Sequence, residues 1–167
     1  WWARVLDGFG IDTLVRLRSG TPLTVVSPVD IGFGFYSFRP DLVPGVPVWI
    51  DDRTVAGGRR LNRDAFTVPA GRQGTLRRNV LRGFGASQVD LSLRRSIRLG
   101  VGGARVQLRA EWFNVLNTPN FADPQSNLLS PQFGTSTQML GRGLGGLNPL
   151  YQIGGPRSAQ IAVRLDF

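Results

Sequence analysis

Apolar and polar residues alternate at every second position in four segments of the chain. The alternation is complete in residues 158–167, whose apolar face holds Ala159, Ile161, Val163, Leu165 and Phe167. The opposite face holds Ser158, Gln160, Ala162, Arg164 and Asp166. A two-residue period is typical of a β-strand with one apolar and one polar face. The same pattern predicts strands at residues 11–19, 87–99 and 105–117, so the chain is expected to be all-β with about four long strands.

Two irregularities interrupt this alternation. Arg95 falls on the face that Leu93 and Ile97 share. It lies near the predicted strand end. In a strand that crosses a membrane, an arginine that faces lipid at such a position lowers stability by only ~0–1 kcal/mol. A β-bulge that turns the side chain to the other face is the alternative. The alternation is also lost after Trp112, which we interpret as the strand leaving the membrane.

The connections between the predicted strands are uneven in length. Residues 100–104 form a tight glycine-rich turn, whereas residues 20–86 and 118–157 form long loops without an alternating pattern. Short periplasmic turns and long extracellular loops are typical of outer-membrane β-barrels. Nine or ten residues in a strand tilted by about 45° span roughly 20–25 Å, close to the apolar band of about 25 Å in such barrels. Residues 1–167 are therefore predicted to be one partial transmembrane antiparallel barrel with two extracellular loops.

Composition narrows the possible chemistry. The chain has no cysteine and no histidine, which excludes disulfides, thiolate nucleophiles and imidazole bases. All 20 basic residues are arginine and the net charge is +9, a balance that favours phosphate partners in lipid or nucleic acid. The start has neither an initiator Met nor a signal-peptide pattern, so we expect the chain to continue upstream.

No segment predicts catalysis or cofactor binding. Residues 141–146 match G-x-G-x-x-G, but Pro149 follows where a helix would be needed, so we interpret them as a flexible loop. The adjacent Asp51 and Asp52, with Asp64, are interpreted as solvated loop residues. The arginine-dense residues 53–82 contain Phe66 as their one aromatic residue, which favours lipopolysaccharide phosphates or loop salt bridges over nucleic acid. We expect no enzyme activity, no cofactor and no metal site.

Six charged residues on the polar faces are the candidate lumen-facing residues: Arg94, Arg98, Arg109, Glu111, Arg164 and Asp166. They either line a path for a substrate or pair across strands and contact other parts of the barrel. Pairing is the favoured interpretation, because charged residues on adjacent strands commonly neutralise one another.

Several short motifs resemble, in order, elements of TonB-dependent receptors of the Oar-like type. The segment R-A-E-W-F-N-V-L-N-T-P-N-F at residues 109–121 resembles a signature near the C-terminus of that family. The other matching motifs are S-G-T-P at 19–22, R-P-D at 39–41, N-R-D-A-F at 62–66, G-T-L-R-R-N at 74–79, G-F-G at 83–85, and P-R at 156–157 before the final strand.

This resemblance implies the end of a large barrel, of about 22 strands around a plug, in the outer membrane of a Gram-negative bacterium. Many relatives carry a carboxypeptidase-regulatory-like domain before the plug. The implied partners are the rest of the barrel and plug, outer-membrane lipid and lipopolysaccharide, and the TonB complex through an N-terminal part that is absent here. The implied function is uptake of an unidentified substrate.

The resemblance also implies that Ile161, Val163, Leu165 and Phe167 form the signal read by the barrel assembly machinery. Two other functions stay open from the sequence. One is a barrel for adhesion or a passive pore without energy coupling. The other is a soluble basic β protein that binds nucleic acid.

Overall fold

The described part of the protein is all-β, as the alternation predicts. The computed structural model describes residues 7–30, 32–100, 102–140 and 154–167. The strands are β1 (Phe9–Arg18), β2 (Pro22–Leu23), β3 (Ser27–Asp30), β4 (Phe35–Phe38), β5 (Asp41–Leu42), β6 (Trp49–Asp51), β7 (Arg59–Leu61), β8 (Phe66–Thr67), β9 (Leu81–Arg82), β10 (Ala86–Arg98), β11 (Arg105–Phe113) and β12 (Ser158–Asp166). Two short 3₁₀ turns, Ala56–Gly58 and Arg63–Ala65, are the helical segments of these ranges, and no helix there is long and apolar enough to cross a membrane.

The chain divides into two compact units. The first, here called the sheet unit, comprises residues 1–17, 87–119 and 141–167. The second, the loop unit, comprises residues 18–86 and 120–140. The predicted G-x-G-x-x-G motif at residues 141–146 lies outside the described residues.

The sheet unit is built on one four-stranded sheet in the order β1-β10-β11-β12. Strand β11 pairs antiparallel with both β10 and β12. These four strands lie where the alternation predicts them, with ends that differ by one to four residues. The largest difference is at the end of β11, which stops at Phe113 and not at residue 117, because Asn114 adopts a left-handed φ of 50°.

The strand register places the alternating apolar rows of β10, β11 and β12 on one face of the sheet. Leu93 pairs with Ala110, which pairs in turn with Ile161. Many residues of this face are exposed: Ile11, Val15, Leu17, Leu108, Trp112, Ile161, Val163 and Leu165. The polar face contains the buried strand residues instead: Gln88, Asp90 and Glu111, together with Ala86 and Phe113. This inverted distribution fits a barrel wall, which meets lipid on its apolar face and encloses polar side chains on the other.

Arg95 lies on the apolar face, and its position is not produced by a bulge. Its pairing with Leu108 continues the register of its neighbours without interruption. The bulge alternative is therefore wrong. The guanidinium carbon lies 4.7 Å from the centre of the Phe9 ring, a cation–π distance.

The lipid-facing assignment can be tested at Leu93. Its replacement by Arg is expected to lower the free energy of unfolding of the complete barrel by about 2 kcal/mol, because a charge would face the hydrocarbon away from the strand ends. The matched control is Ser92→Arg, which places the same charge on the opposite face near Glu111 and is expected to change stability little. The measurement is urea unfolding in lipid vesicles. Equal losses in the two variants would contradict the assignment.

The loop unit corrects the expectation that residues 20–86 and 118–157 are long loops without structure. Within the described residues it contains four two-stranded sheets, which pair β2 with β9, β3 with β4, β5 with β8, and β6 with β7. These sheets surround a hydrophobic core of Leu23, Val25, Leu61, Ala65, Phe66, Leu76, Leu128 and Phe133. The sequence lacks a visible period here because each strand has only two to four residues, too few to alternate.

Motifs distant in sequence meet in the loop unit. The R-P-D motif lies against residues 72–76: Gly74 N donates to Arg39 O at 2.8 Å, and Leu76 N donates to Pro40 O at 3.1 Å. A Cβ atom at Gly74 would stand 2.1 Å from the Pro40 carbonyl carbon, so only glycine fits. Arg72 donates to the Asp41 carboxylate at 2.7 Å, which lowers the pKa of Asp41.

Two further motifs approach each other in the same way. Gly83 N of the G-F-G motif donates to Thr21 O of the S-G-T-P motif at 2.9 Å. A Cβ atom at Gly20 would stand 2.3 Å from Gly83 O. In the N-R-D-A-F motif, Asn62 caps a 3₁₀ turn through Asp64 N, and the following Ala65 and Phe66 enter the core. These motifs therefore specify how the loop unit folds.

Candidate functional site: the polar face of the sheet

The polar faces of β1, β10 and β11 line an open concavity of about 270 Å³. Its lining residues are Asp12, Thr13, Leu14, Arg16, Asp90, Leu91, Ser92, Arg109, Glu111 and Phe113. Alternation along the three strands directs the polar members to one side of the sheet. The concavity is therefore the part of the sheet unit where charged groups converge.

Asp90 is the centre of the most buried polar group in this concavity. It is 6% exposed and forms an ion pair with Arg16 at 2.5 Å. Its second oxygen accepts hydrogen bonds from Gln88 Nε2 at 2.8 Å and from Asn114 N at 2.9 Å. A buried carboxylate needs such donors, because burial removes the water that would otherwise solvate its charge.

Asn114 extends this group to the end of β11. Its side-chain Nδ2 donates to Thr118 O at 3.1 Å and to Gly155 O at 2.9 Å, and its Oδ1 accepts from Thr118 N at 3.0 Å. Gln88 reaches the same returning segment, since its Oε1 accepts from Gly154 N at 2.9 Å. The network therefore ties β1, β10 and the end of β11 to the segment that leads into β12.

Glu111 forms a second, smaller group across β11 and β12. Arg109 pairs with its Oε1 at 2.7 Å, and Gln160 donates to its Oε2. Glu111 is 8% exposed, so the neighbouring guanidinium compensates a charge that is largely removed from solvent.

The six predicted lumen-facing residues are distributed along the polar face and do not form one site. Arg94 lies 3.7 Å from Asp12, and Arg164 pairs with Asp166 at 2.7 Å. Arg109 pairs with Glu111 as described. Arg98 lies opposite Arg105 and makes no ion pair within the described residues. Five of the six predicted residues therefore take part in ion pairs.

Sequence reasoning did not single out Arg16, Gln88, Asp90 and Asn114 as a group. Arg16 and Asp90 are 74 residues apart, and adjacency of β1 and β10 is decided only by the tertiary fold. One signal was present in the sequence. Asn114 stands where the alternation ends, and asparagine is a residue type that tolerates the left-handed conformation, so it indicates a turn of the backbone there.

The predicted assembly residues lie together on the outer strand of the sheet. Ile161, Val163 and Leu165 are exposed on the apolar face of β12, and Phe167 is fully exposed after it. This placement makes them part of the lipid-facing row.

The arginines of residues 53–82 have two kinds of environment. Arg60 pairs with Asp52, Arg72 pairs with Asp41, and Arg59 stacks on Trp49 at 4.4 Å. Arg63 donates to the carbonyl oxygens of Leu128 and Ser130. The remaining four, Arg53, Arg77, Arg78 and Arg82, are exposed and make no ion pair in the part of the chain that the structure describes.

Three carboxylates of the loop unit are held in structural contacts, those of Asp41, Asp52 and Asp123, whereas Asp51 and Asp64 are exposed. Asp52 accepts from the Thr54 hydroxyl at 2.5 Å and from Thr54 N at 3.0 Å. The Thr54 hydroxyl, with this N–H and Arg60, lowers the pKa of Asp52. A carboxylate held in its charged form by several donors is a poor general acid near neutral pH. Within the described residues, no three carboxylates or other ligands cluster as a metal site would require.

The comparison with protein families agrees with this architecture. The model of the family described as outer membrane beta barrel domain matches residues 1–149. No curated protein and no solved structure matches the chain significantly. The family match covers most of the sequence, and members of such a family reside in the cell outer membrane. The exposed apolar rows, the ion-paired polar face and the family match lead to one conclusion: the chain belongs to the outer-membrane β-barrel domain family.

Proposed function

We propose that this chain is part of a TonB-dependent outer-membrane receptor that imports a solute, with the sheet unit as barrel wall and the loop unit outside the cell. The observation that carries the proposal is the pairing of motifs within the loop unit. Segments that resemble the receptor family in sequence order, such as R-P-D and G-T-L-R-R-N, also contact each other in space. A chance resemblance would not be expected to place its separate pieces in mutual contact.

In this function the ion-paired face of the sheet borders the lumen. Each ion pair there is nearly neutral. A polar solute or an inserted plug therefore meets positive and negative charges in alternation, and not a surface of one charge sign. The residues Ile161, Val163, Leu165 and Phe167 serve as the assembly signal, because they present an alternating apolar row on the last strand.

The loop unit contributes a cationic outer surface. Four exposed guanidinium groups make no ion pair within the described residues and are available to an external partner: those of Arg53, Arg77, Arg78 and Arg82. Guanidinium groups bind phosphate with charge-assisted hydrogen bonds. Lipopolysaccharide phosphate is the proposed partner of this surface.

Energy-coupled uptake is tested with the complete protein that carries this chain. Cells that express it are given a panel of labelled small nutrients, with and without an active TonB system. Uptake that needs TonB and stops when the proton gradient is dissipated supports the proposal. A variant with residues 20–86 deleted is expected to lose substrate binding at the cell surface.

The other functions predict different results in the same experiments. A passive pore passes solutes without TonB and conducts ions steadily in a planar bilayer. An adhesin binds cells or matrix and imports nothing. A nucleic-acid-binding protein retains DNA with a steep dependence on salt. Any of these results without coupled uptake contradicts the proposal.

A further inference from the structure

Arg95 is the one charged residue in the apolar row of β10. It follows Leu91 and Leu93 and precedes Ile97 on that face, and its Cα partner on β11 is Leu108. Leu99, next to the tight turn, lies four positions further along the strand. In a strand tilted by about 45°, four residues correspond to roughly 9 Å along the membrane normal. The long arginine stem lets the guanidinium reach the headgroup region from that depth.

Among the described residues, the charge of Arg95 has an aromatic contact, Phe9, but no carboxylate partner. Its Nε is shielded from solvent and has no hydrogen-bond partner among the described residues. No described carboxylate forms an ion pair with it. A guanidinium charge on the lipid-facing side without a counterion is costly, so an external anion that contacts its terminal nitrogens is expected to complete the site.

The geometry around Arg95 is suited to an anion. The Phe9 ring lies 4.7 Å from the guanidinium carbon and restricts the orientation of the group. A polar pocket of about 350 Å³ adjoins it and is also lined by Arg98, Arg105 and Asp7. Arg98 and Arg105 belong to the opposite, polar face of the sheet, so Arg95 is the one cation among the lining residues of this pocket that lies on the apolar face. Apolar side chains of the same face, including Ile97 and Leu99, continue beside the charge.

We propose that Arg95, held against Phe9, binds the phosphate of a membrane phospholipid at the boundary near the Gly100 turn. The exposed apolar row beside it accommodates the acyl chains. Short turns of such barrels lie on the periplasmic side, where phospholipid supplies the phosphate. The proposal rests on the barrel architecture and is independent of the transported substrate.

The test is native mass spectrometry of the complete protein, purified in detergent and titrated with phosphatidylglycerol. Arg95→Gln is expected to weaken lipid binding about tenfold, because a charge-assisted hydrogen bond is lost. The matched control is Arg94→Gln, which removes the adjacent charge from the opposite face and is expected to leave binding unchanged. Phe9→Leu is expected to weaken binding to a smaller extent, because the stacking partner is removed while the apolar contact remains.

Two further probes separate a lipid site from other anion sites. Diacylglycerol, which has the chains without the phosphate, is expected to bind weakly and equally to the parent protein and Arg95→Gln. Inorganic phosphate at millimolar concentration is expected not to displace phosphatidylglycerol. Equal phosphatidylglycerol binding by the parent and Arg95→Gln, or full displacement by inorganic phosphate, would overturn the proposal. Unchanged heat-modifiable migration of each variant in gels establishes that the barrel has folded.

Discussion

Replacement of Asp90 by Ala is expected to lower the free energy of unfolding of the complete barrel by about 3–5 kcal/mol. The change leaves Arg16 as a charge with no partner in a site that is largely shielded from solvent. It also removes the acceptor for Gln88 Nε2 and for the backbone N–H of Asn114. A buried donor without an acceptor keeps its full desolvation cost, so these losses add to the loss of the ion pair.

Two control variants separate the charge from the hydrogen bonds at Asp90. Asp90→Asn keeps an oxygen acceptor for Asn114 N, so its loss is expected to be smaller than that of Asp90→Ala. Asp166→Ala removes a carboxylate from a pair that is exposed, where ion pairs contribute only about 0–1 kcal/mol. The measurement is the urea midpoint of the barrel in lipid vesicles, followed by tryptophan fluorescence. If Asp90→Ala and Asp166→Ala cost the same, the Asp90 network does not stabilise the sheet as described.

The second large effect is expected from Leu61→Ala in the core of the loop unit. Leu61 is fully buried, and its N–H donates to Gly134 O at 3.0 Å. A leucine-to-alanine change at such a position removes buried apolar surface and leaves a cavity, which together cost about 2–5 kcal/mol. The strands of the loop unit have only two to four residues, so few backbone hydrogen bonds join each pair of strands. The stability of the unit therefore depends strongly on this core.

The expected result is rapid cleavage by added protease within residues 20–86 and 120–140 on intact cells. The barrel itself is expected to keep its heat-modifiable migration, because the substitution does not touch the long strands. The matched control is Val68→Ala, an exposed position where truncation is expected to change stability by less than about 0.5 kcal/mol. Protease resistance of Leu61→Ala equal to that of Val68→Ala would show that the loop unit has no cooperative core.

The same core gives the loop unit a defined shape. An ordinary loop of this length loses much conformational entropy when it binds a ligand. A loop unit with buried leucines and a Phe66–Phe133 edge contact at 5.7 Å has lost that entropy already during folding. Its exposed arginines are therefore presented on a preorganised surface. Disruption of Leu61 is expected to weaken surface binding even though Leu61 touches no ligand.

The four long strands were predictable because a half-buried strand needs an apolar residue at every second position. A shift of one residue would place Arg164 and Asp166 in lipid, so the sequence alone determines which residues face outward. It also shows membership of the outer-membrane β-barrel domain family, whose model matches residues 1–149. Arg95 could be recognised from the sequence for the same reason, because it places a charged residue at an apolar position of an alternating strand.

Three features were decided only by the tertiary structure. Strand β1 pairs with β10 across a long insertion, so the ion pair between Arg16 and Asp90 has no local signal. The loop unit gathers its core from positions as distant as Leu23 and Phe133, on strands too short to show a period. The end of β11 follows from hydrogen bonds that Asn114 makes with segments before and after it. Periodicity reports which face a residue occupies, whereas the partner across that face depends on how the whole chain is brought together.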